Sequence, residues 1–442
     1  MPVKNCLRPP NLLASVAATL PEPASLDRPL LTTDDDRDRS GRFWVLFAAG
    51  VALIAKLLVA RSTVGTNDVL TFYLFGKSLA DHGLEWTYQN IIVFNHPPLT
   101  AYYLRTIYSL HQIPQLRAFG IEFPFLLRLP GILADFVVVV LLLRIKNQFP
   151  SFRLPTWSLV LVALSPLSLM VSGYHGNTDP IMVMLLLFSG YYCLQTQPAL
   201  CGLFLALSIQ IKIAPLLFLP VFFFFWMQRR LLLPFVIPFA VISAVLWSEP
   251  LLGFPLIFAK NVLSYGSTWG IWGISYLLRL TGWPEFSRVS FFGLGLWQIL
   301  VFTACKLAIL VAVLMLAWRR RRVSSCGLVD SIAYGWIIFF VLAPGVGTQY
   351  LVWLAPFVLF LSPTFYVWLL GSSSLFAFVF YNTISHGLPW RQGISTNALN
   401  QIWAPWSLLP WTVLCGGLIT LWRKAKRADP SLRFVSLHSV NA

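Results

Sequence analysis

Long apolar runs separated by short polar breaks set the pattern of this chain. The first run, residues 43–60, would rise about 27 Å as a helix, close to the hydrocarbon thickness of a bilayer. Further runs at 123–143, 157–173, 180–194, 231–247, 296–318, 328–342, 350–361, 364–381 and 402–422 repeat the signal. The run 199–226 is too long for one crossing and too short for two full ones, and QIKIAP interrupts it around Lys212 and Pro215. It reads as two short helices meeting near the outer surface. The pattern predicts an all-α polytopic membrane protein of roughly twelve crossings, two of them short, with both termini on the cytoplasmic side. No internal repeat stands out.

Composition agrees with that class. Charged residues make up 11% of the 442 and the mean hydropathy is +0.72, where a soluble globular domain carries about 25% charge. The net charge of +16 reads as topology rather than as a nucleic-acid surface, because most of the basic residues fall at alternate ends of the runs. Arg144, Lys146, Arg153, Arg229, Arg230, Arg319 to Arg322, Arg423, Lys424, Lys426, Arg427 and Arg433 would all face the cytoplasm. The six cysteines lie in apolar runs or near basic loops, so neither a disulfide nor a zinc site is expected.

Three regions follow. Residues 1–40 are Pro-rich and polar, with Asp34, Asp35, Asp36 and Asp38, and read as a disordered cytoplasmic arm. Lys4 and Arg8 before NLLASVAATL resemble a signal peptide, but the apolar part is short and the run from Phe43 already supplies an anchor, so the arm is expected to stay. Residues 41–427 form the membrane domain, and 428–442 a cytoplasmic tail.

The polar stretch 61–121 is the first extracytoplasmic loop and the expected working part of the chain. Val69, Phe72, Tyr73, Gly76 and Leu79 recur at helical spacing, which predicts an amphipathic helix over 69–82 lying on the membrane and capped by Thr66 or Asn67. Asp68 would then occupy the first turn, where free backbone N–H groups and the helix dipole favour a carboxylate. The same position also suits an ordinary helix-start residue. His96, Pro97 and Pro98 break the chain before a second, aromatic segment at 99–110; the two prolines explain the turn without any chemistry from His96.

Other polar groups gather on the same side. YHGNTDP, between the third and fourth crossings, puts His175, Asn177 and Asp179 within five residues at a helix boundary, although Asp before Pro is also a plain helix start. Lys212 sits between two isoleucines in an apolar run. An intramembrane lysine is costly enough to suggest function, with snorkelling as the simpler alternative. Arg128 and Asp135 share a helical face and could pair with each other or with a neighbour; Lys56 and Lys306 are further charges in or near spans. A second long polar stretch, 248–295, carries Trp269, Trp272, Arg279, Trp283 and Arg288, and APGVGTQY offers Gln349 and Tyr350.

GTNDVLTFYLFGKSLADHG with FNHPPLTAYY, HGNTDPI, and GLFLALSIQIKIAPLLFLP together resemble the C-type membrane glycosyltransferases, which use polyprenyl-phosphate sugars. The last two are most similar to mannosyltransferases of eukaryotic glycolipid assembly and to bacterial polyprenyl-phosphomannose enzymes. The resemblance covers the first half; later spans match in hydropathy and in GTQYLVWLAP. Some relatives carry paired carboxylates, but here Asn67 precedes Asp68, so a divalent metal gains no support from the residues and no cofactor is assigned.

The resemblance implies an inverting transferase that moves a mannose-like hexose from a polyprenyl-phosphate donor, such as dolichol-phosphate mannose, to a glycolipid, glycan or protein hydroxyl. The reaction would take place on the extracytoplasmic or lumenal face of a bacterial inner membrane or the ER membrane. It asks for a base and for cations on the leaving phosphate. Asp68 is the candidate base; Lys212, Arg279, Arg288 and His175 are the phosphate candidates; Asn67, His96, Asn177, Asp179, Gln349 and Tyr350 are the candidate substrate contacts. A secondary transporter or a lipid-linked sugar flippase is the alternative, and the former would show repeats and a midplane site. Sugar, acceptor and oligomeric state are not written in the sequence.

Overall fold

The computed structural model describes residues 33–263, 268–290, 293–393 and 404–428. Among them the chain is helical almost throughout. The first half holds α1 (Thr33–Ser62), α2 (Asn67–Asp81), α3 (Gly83–Asn90), α4 (Pro98–His111), α5 (Pro114–Ala118), α6 (Phe123–Gln148), α7 (Thr156–Ala163), α8 (Pro166–Ser168), a π-helix (Leu169–His175), α9 (Asp179–Leu194) and α10 (Pro198–Ile211). The second holds α11 (Leu219–Gln228), α12 (Leu232–Gly253), α13 (Pro255–Leu263), α14 (Gly273–Arg279), α15 (Leu296–Arg319), α16 (Ser325–Leu342), α17 (Ala355–Leu361), α18 (Pro363–Ile384) and α19 (Ala404–Ala428).

Among the described residues seven helical stretches are long and apolar enough to cross a membrane: Arg39–Ser62, Phe123–Gln148, Thr156–His175, Leu232–Gly253, Leu296–Arg319, Ser325–Leu342 and Pro363–Ile384. Four shorter apolar helices join them, Asp179–Leu194, Pro198–Ile211, Ala214–Gln228 and Pro405–Leu421. Only 6% of the apolar window of α12 and 17% of that of α15 are buried. Bare apolar faces of that size are unfavourable in water and natural in lipid, which fits a multi-pass membrane protein.

Several details depart from the periodic pattern. Residues 157–173 are not one α-helix: Ser165 and Pro166 end α7, the Ser165 hydroxyl accepts from the Ser168 N–H at 3.1 Å, and a π-helix carries the chain to His175. Proline lacks the N–H needed to continue a helix ladder, so the break falls there. Residues 350–361 are a 3₁₀ turn, Thr348–Trp353, running into the seven-residue α17. The second polar stretch is partly helical as α13 and α14. The helix α1 starts at Thr33, so the acidic run lies at its N-terminal end; the earlier part of the arm and residues 429–442 lie outside the described residues. Cys326 is disulfide-bonded, against the expectation of none, while Cys193, Cys201, Cys305 and Cys415 are free.

The first loop folds as a layer of its own. In α2, Val69, Phe72, Gly76 and Leu79 are buried as the spacing predicts, and Phe75 joins them, packing with Leu84, Tyr88, Phe94, Leu104 and Phe258. Gly76 lets α2 and α4 touch, since a Cβ there would come 2.7 Å from the Leu104 carbonyl oxygen. The opposite flank of α2 leaves Leu70 and Leu74 exposed. Gly202 serves α10 and α12 in the same way, with the Phe235 carbonyl oxygen 2.1 Å from the position a Cβ would take.

One end of the bundle collects the helix termini that matter below. The C-terminal ends of α1, the π-helix, α10 and α18 and the N-terminal ends of α6 and α9 meet there. A two-residue parallel ladder, Gly65–Thr66 with Gln392–Gly393, ties the start of the first loop to the chain after α18.

Candidate active site

The segment after α1 crosses directly over the π-helix. Gly65, at φ 97°, makes this approach possible, because a Cβ would stand 2.7 Å from the Tyr174 carbonyl oxygen. Thr66 caps α2: its hydroxyl accepts from the Asp68 N–H at 3.4 Å and donates to the His175 carbonyl at 2.9 Å. On the other side the π-helix ends at Gly176, φ 82°, where a Cβ would meet a Val69 methyl at 2.4 Å. Two glycines thus allow the GTND and HGNTDP segments, 107 residues apart at Asp68 and His175, to lie in contact.

Three donors converge on one oxygen of Asp68. His175 Nε2 lies 2.9 Å from Asp68 Oδ2, Asn177 Nδ2 donates to it at 3.2 Å, and Gln349 Nε2 at 3.4 Å. A carboxylate only accepts, so the shared hydrogen belongs to His175 Nε2. Asp68 Oδ1 has no hydrogen-bond partner among the described residues, and the side chain keeps 36% of its surface open. Burial is the largest influence on Asp68 and pushes its pKa up. It is outweighed by the charge and hydrogen bond of His175 together with the charges of Lys212 and His96, so the carboxyl is held below its ordinary value.

Behind this pair sits a second one. Lys212 follows the last residue of α10 in extended backbone, and its Nζ donates to Asp179 Oδ1 at 2.5 Å. The ammonium also faces the rings of Tyr350 and Trp353, at 4.1 and 5.0 Å from their centroids, and those two rings stack at 4.3 Å. Asp179 is fully buried, and among the described residues its Oδ2 has no partner, as is true of the Thr178 hydroxyl and of both polar atoms of the Gln210 amide. Thr100, in the first turn of α4, donates to the Ile211 carbonyl at 2.7 Å, so the segment after FNHPPL supports the break at Lys212.

His96 packs edge-on to Phe72 and Phe75. Burial first, and then the charge of Lys212, drive its pKa down to about 3, so its ring is neutral at physiological pH. The Tyr88 hydroxyl donates to its backbone carbonyl.

The candidates from the sequence therefore divide. Asp68, His175, Asn177, Asp179, Lys212, Gln349 and Tyr350 form one connected cluster. His96 borders it through its electrostatic contact with Asp68 and Lys212. Asn67 is exposed, and no described contact joins it to the cluster. Arg279 donates to the Ser287 carbonyl, and Arg288 is exposed; no described contact joins either one to the cluster. Among the described residues no group of three or more His, Cys, Asp or Glu side chains is arranged to hold a metal ion.

Two participants escaped sequence reasoning, and a third, Arg128, entered it only as a candidate ion-pair partner. Trp353 forms the second wall of the Lys212 pocket. Tyr381, on α18, is buried 5.6 Å ring to ring from His175, with a hydroxyl that has no partner among the described residues. Among the described residues Arg128 pairs with no carboxylate; it binds backbone carbonyls and Thr63. An aromatic in an aromatic-rich span carries no local signal, whereas a lone arginine near the start of α6 does. The chain matches no protein-family model, and no curated protein matches it in sequence.

Proposed function

We propose that this chain is a membrane glycosyltransferase that moves a mannose-like hexose from a polyprenyl-phosphate donor to an alcohol, with Asp68 as the base. One observation carries the reading: every donor to Asp68 goes to Oδ2, leaving Oδ1 unpartnered on a partly open carboxylate that is held ionised. That arrangement suits proton abstraction, because a base needs a free lone pair in a fixed direction. The acceptor oxygen attacks the anomeric carbon from the face opposite the phosphate. The new carbon–oxygen bond forms as the bond to the phosphate oxygen breaks, the acceptor proton passes to Asp68 Oδ1, and the polyprenyl phosphate leaves. Configuration inverts.

Lys212 is the cation for the leaving phosphate. Its charge is already offset by Asp179, so the phosphate shares an ammonium that has three N–H donors to give. The orphaned polar atoms of Thr178, Asp179 and Gln210 beside it support a polar ligand there, since buried polar groups without partners are rare unless something fills the site. The collection of polar groups at one end of the bundle, rather than midway, favours an enzyme over a transporter. Exposed Leu70, Leu74, Trp86 and Ile92 around the first loop fit helices lying in the interface on the outer side. Counting α9, α10, α11, the 3₁₀–α17 unit and α19 as crossings beside the seven long stretches, twelve passes result.

The test is transfer from radiolabelled polyprenyl-phosphate mannose by purified protein in proteoliposomes, with a mixed glycolipid acceptor pool. Labelled product that depends on Asp68 supports the proposal. Movement of intact labelled lipid between leaflets without product would point to a flippase instead.

A further inference from the structure

Arg128 and Asp135 lie seven residues apart on α6, and each bridges the same two partners instead of pairing with the other. Asp135 Oδ2 accepts from Lys56 of α1 at 2.5 Å, from Ser168, the last residue of α8, and from Ser172 of the π-helix, each at 2.5 Å. Arg128 does the converse work nearer the site. Its Nη1 donates to Thr63 Oγ1 at 2.8 Å, the Gly173 carbonyl at 2.9 Å and the Tyr174 carbonyl at 3.1 Å. Its Nη2 donates to the Ala60 and Thr63 carbonyls at 2.9 and 2.5 Å, and its Nε to the Pro124 carbonyl at 2.8 Å.

The position of these bonds matters more than their number. Thr63 stands three residues before Thr66, the cap that fixes Asp68; Gly173 and Tyr174 stand immediately before His175. The guanidinium is 1% exposed and binds the end of the segment carrying the carboxylate to the end of the segment carrying its partner. A planar fork that reaches several acceptors in fixed directions can do this, and an ammonium cannot.

We propose that Arg128 is a positioning residue that sets the contact between Asp68 and His175. The inference rests on Asp68 being the functional carboxylate of the proposed transfer, yet its own content is the geometry of the pair. His175 from the π-helix, Lys212 after α10, His96 before α4, Asp179 at the start of α9 and Tyr381 on α18 all face Asp68 electrostatically. Of these, His175 alone donates a hydrogen bond to it. Loosening that bond leaves burial less opposed, and the carboxyl then takes up a proton at higher pH.

The experiment compares the unaltered protein, Arg128→Lys and Thr63→Val in lipid nanodiscs, after thermal melting has shown which are folded. An apolar carbodiimide, which reacts with protonated carboxyls, is applied across a pH series, and modification of Asp68 is read by mass spectrometry. Turnover of polyprenyl-phosphate mannose is followed in parallel. Arg128→Lys is expected to raise the pH of half-modification by about one unit, the equivalent of a tenfold change in proton affinity. Where the unaltered protein turns over, kcat should fall about tenfold to a hundredfold, with the donor KM little changed. Thr63→Val, which removes one acceptor and keeps the arginine, should shift the same way by less, and it carries the test if Arg128→Lys does not fold. Folded variants with the half-modification pH of the unaltered protein would overturn the positioning role. A shift in modification without turnover in any form would uphold Arg128 and reject the glycosyl transfer.

Discussion

The ammonium of Lys212 stands 2.5 Å from the carboxylate of Asp179, with 11% and 0% of their side-chain surfaces exposed. So complete a burial makes each charge depend on the other, since an ion left alone in a low-dielectric interior costs several kcal/mol. Lys212→Met and Asp179→Leu are each expected to destabilise the protein by about 3 to 5 kcal/mol, while the double variant recovers much of that loss. Thermal melting in detergent checks it. Equal, additive losses would mean that the two residues are not coupled. Among variants that stay folded, Lys212→Arg should keep more donor affinity than Lys212→Ala, read as the donor KM.

Asp68→Asn preserves shape and capping ability while removing basicity. Transfer from polyprenyl-phosphate mannose should fall by about two orders of magnitude or more, with donor binding intact. The comparison is Asp179→Asn, whose parent carboxylate is buried and already committed to Lys212. Near-normal turnover in Asp68→Asn beside an inactive but folded Asp179→Asn would move the base to the HGNTDP turn.

The charge and hydrogen bond of His175 are what oppose the burial of Asp68 most strongly. With them present the carboxyl of Asp68 is held below its ordinary value, and the proposed transfer should keep its rate to lower pH than an unassisted carboxyl would allow. His175→Phe removes both influences while burial persists, so the pKa of Asp68 rises and the acid limb of kcat/KM moves to higher pH. Turnover measured from pH 4 to 8 distinguishes this from a plain loss of rate, which would scale the profile without displacing it.

Gly176 adopts φ 82°, and a Cβ there would lie 2.4 Å from a Val69 methyl. Gly176→Ala therefore strains the backbone and pushes α2 away from the HGNTDP turn. A loss of about 1 to 3 kcal/mol is expected. Adding Val69→Ala should relieve the clash but not the backbone strain, so a partial recovery in melting temperature is the diagnostic result.

If the first loop faces outside, a cysteine at exposed Asn67 in an otherwise cysteine-free protein should react with an impermeant maleimide added to intact cells or sealed right-side-out vesicles. Reaction only after the membrane is opened would reverse the assigned faces.

The sequence by itself determined the helical class, the boundaries of the most apolar spans and the amphipathic face of α2, because burial periodicity and lipid-length runs are local properties. It also named most of the polar cluster, since histidine, lysine and carboxylates are few in so apolar a chain and fall at its span ends, although each also has a plain local reason to be there. What it did not determine were the partners. Arg128 and Asp135 share a helical face, which suggests an ion pair; packing instead placed α1 and the π-helix between them, so Asp135 took Lys56 and Arg128 took carbonyls. Lys212 looked like a free cation until the burial of Asp179 required a counter-charge. Arg279 and Arg288 carry the right charge in a loop that the fold joins to other parts of the chain. The π-helix is the clearest case: no residue of LMVSGYH demands it, and in the fold Ser168 just before it and Ser172 within it bond Asp135 while its Gly173 and Tyr174 bond Arg128. Those contacts span at least 33 residues along the chain, and only tertiary packing decides where such partners meet.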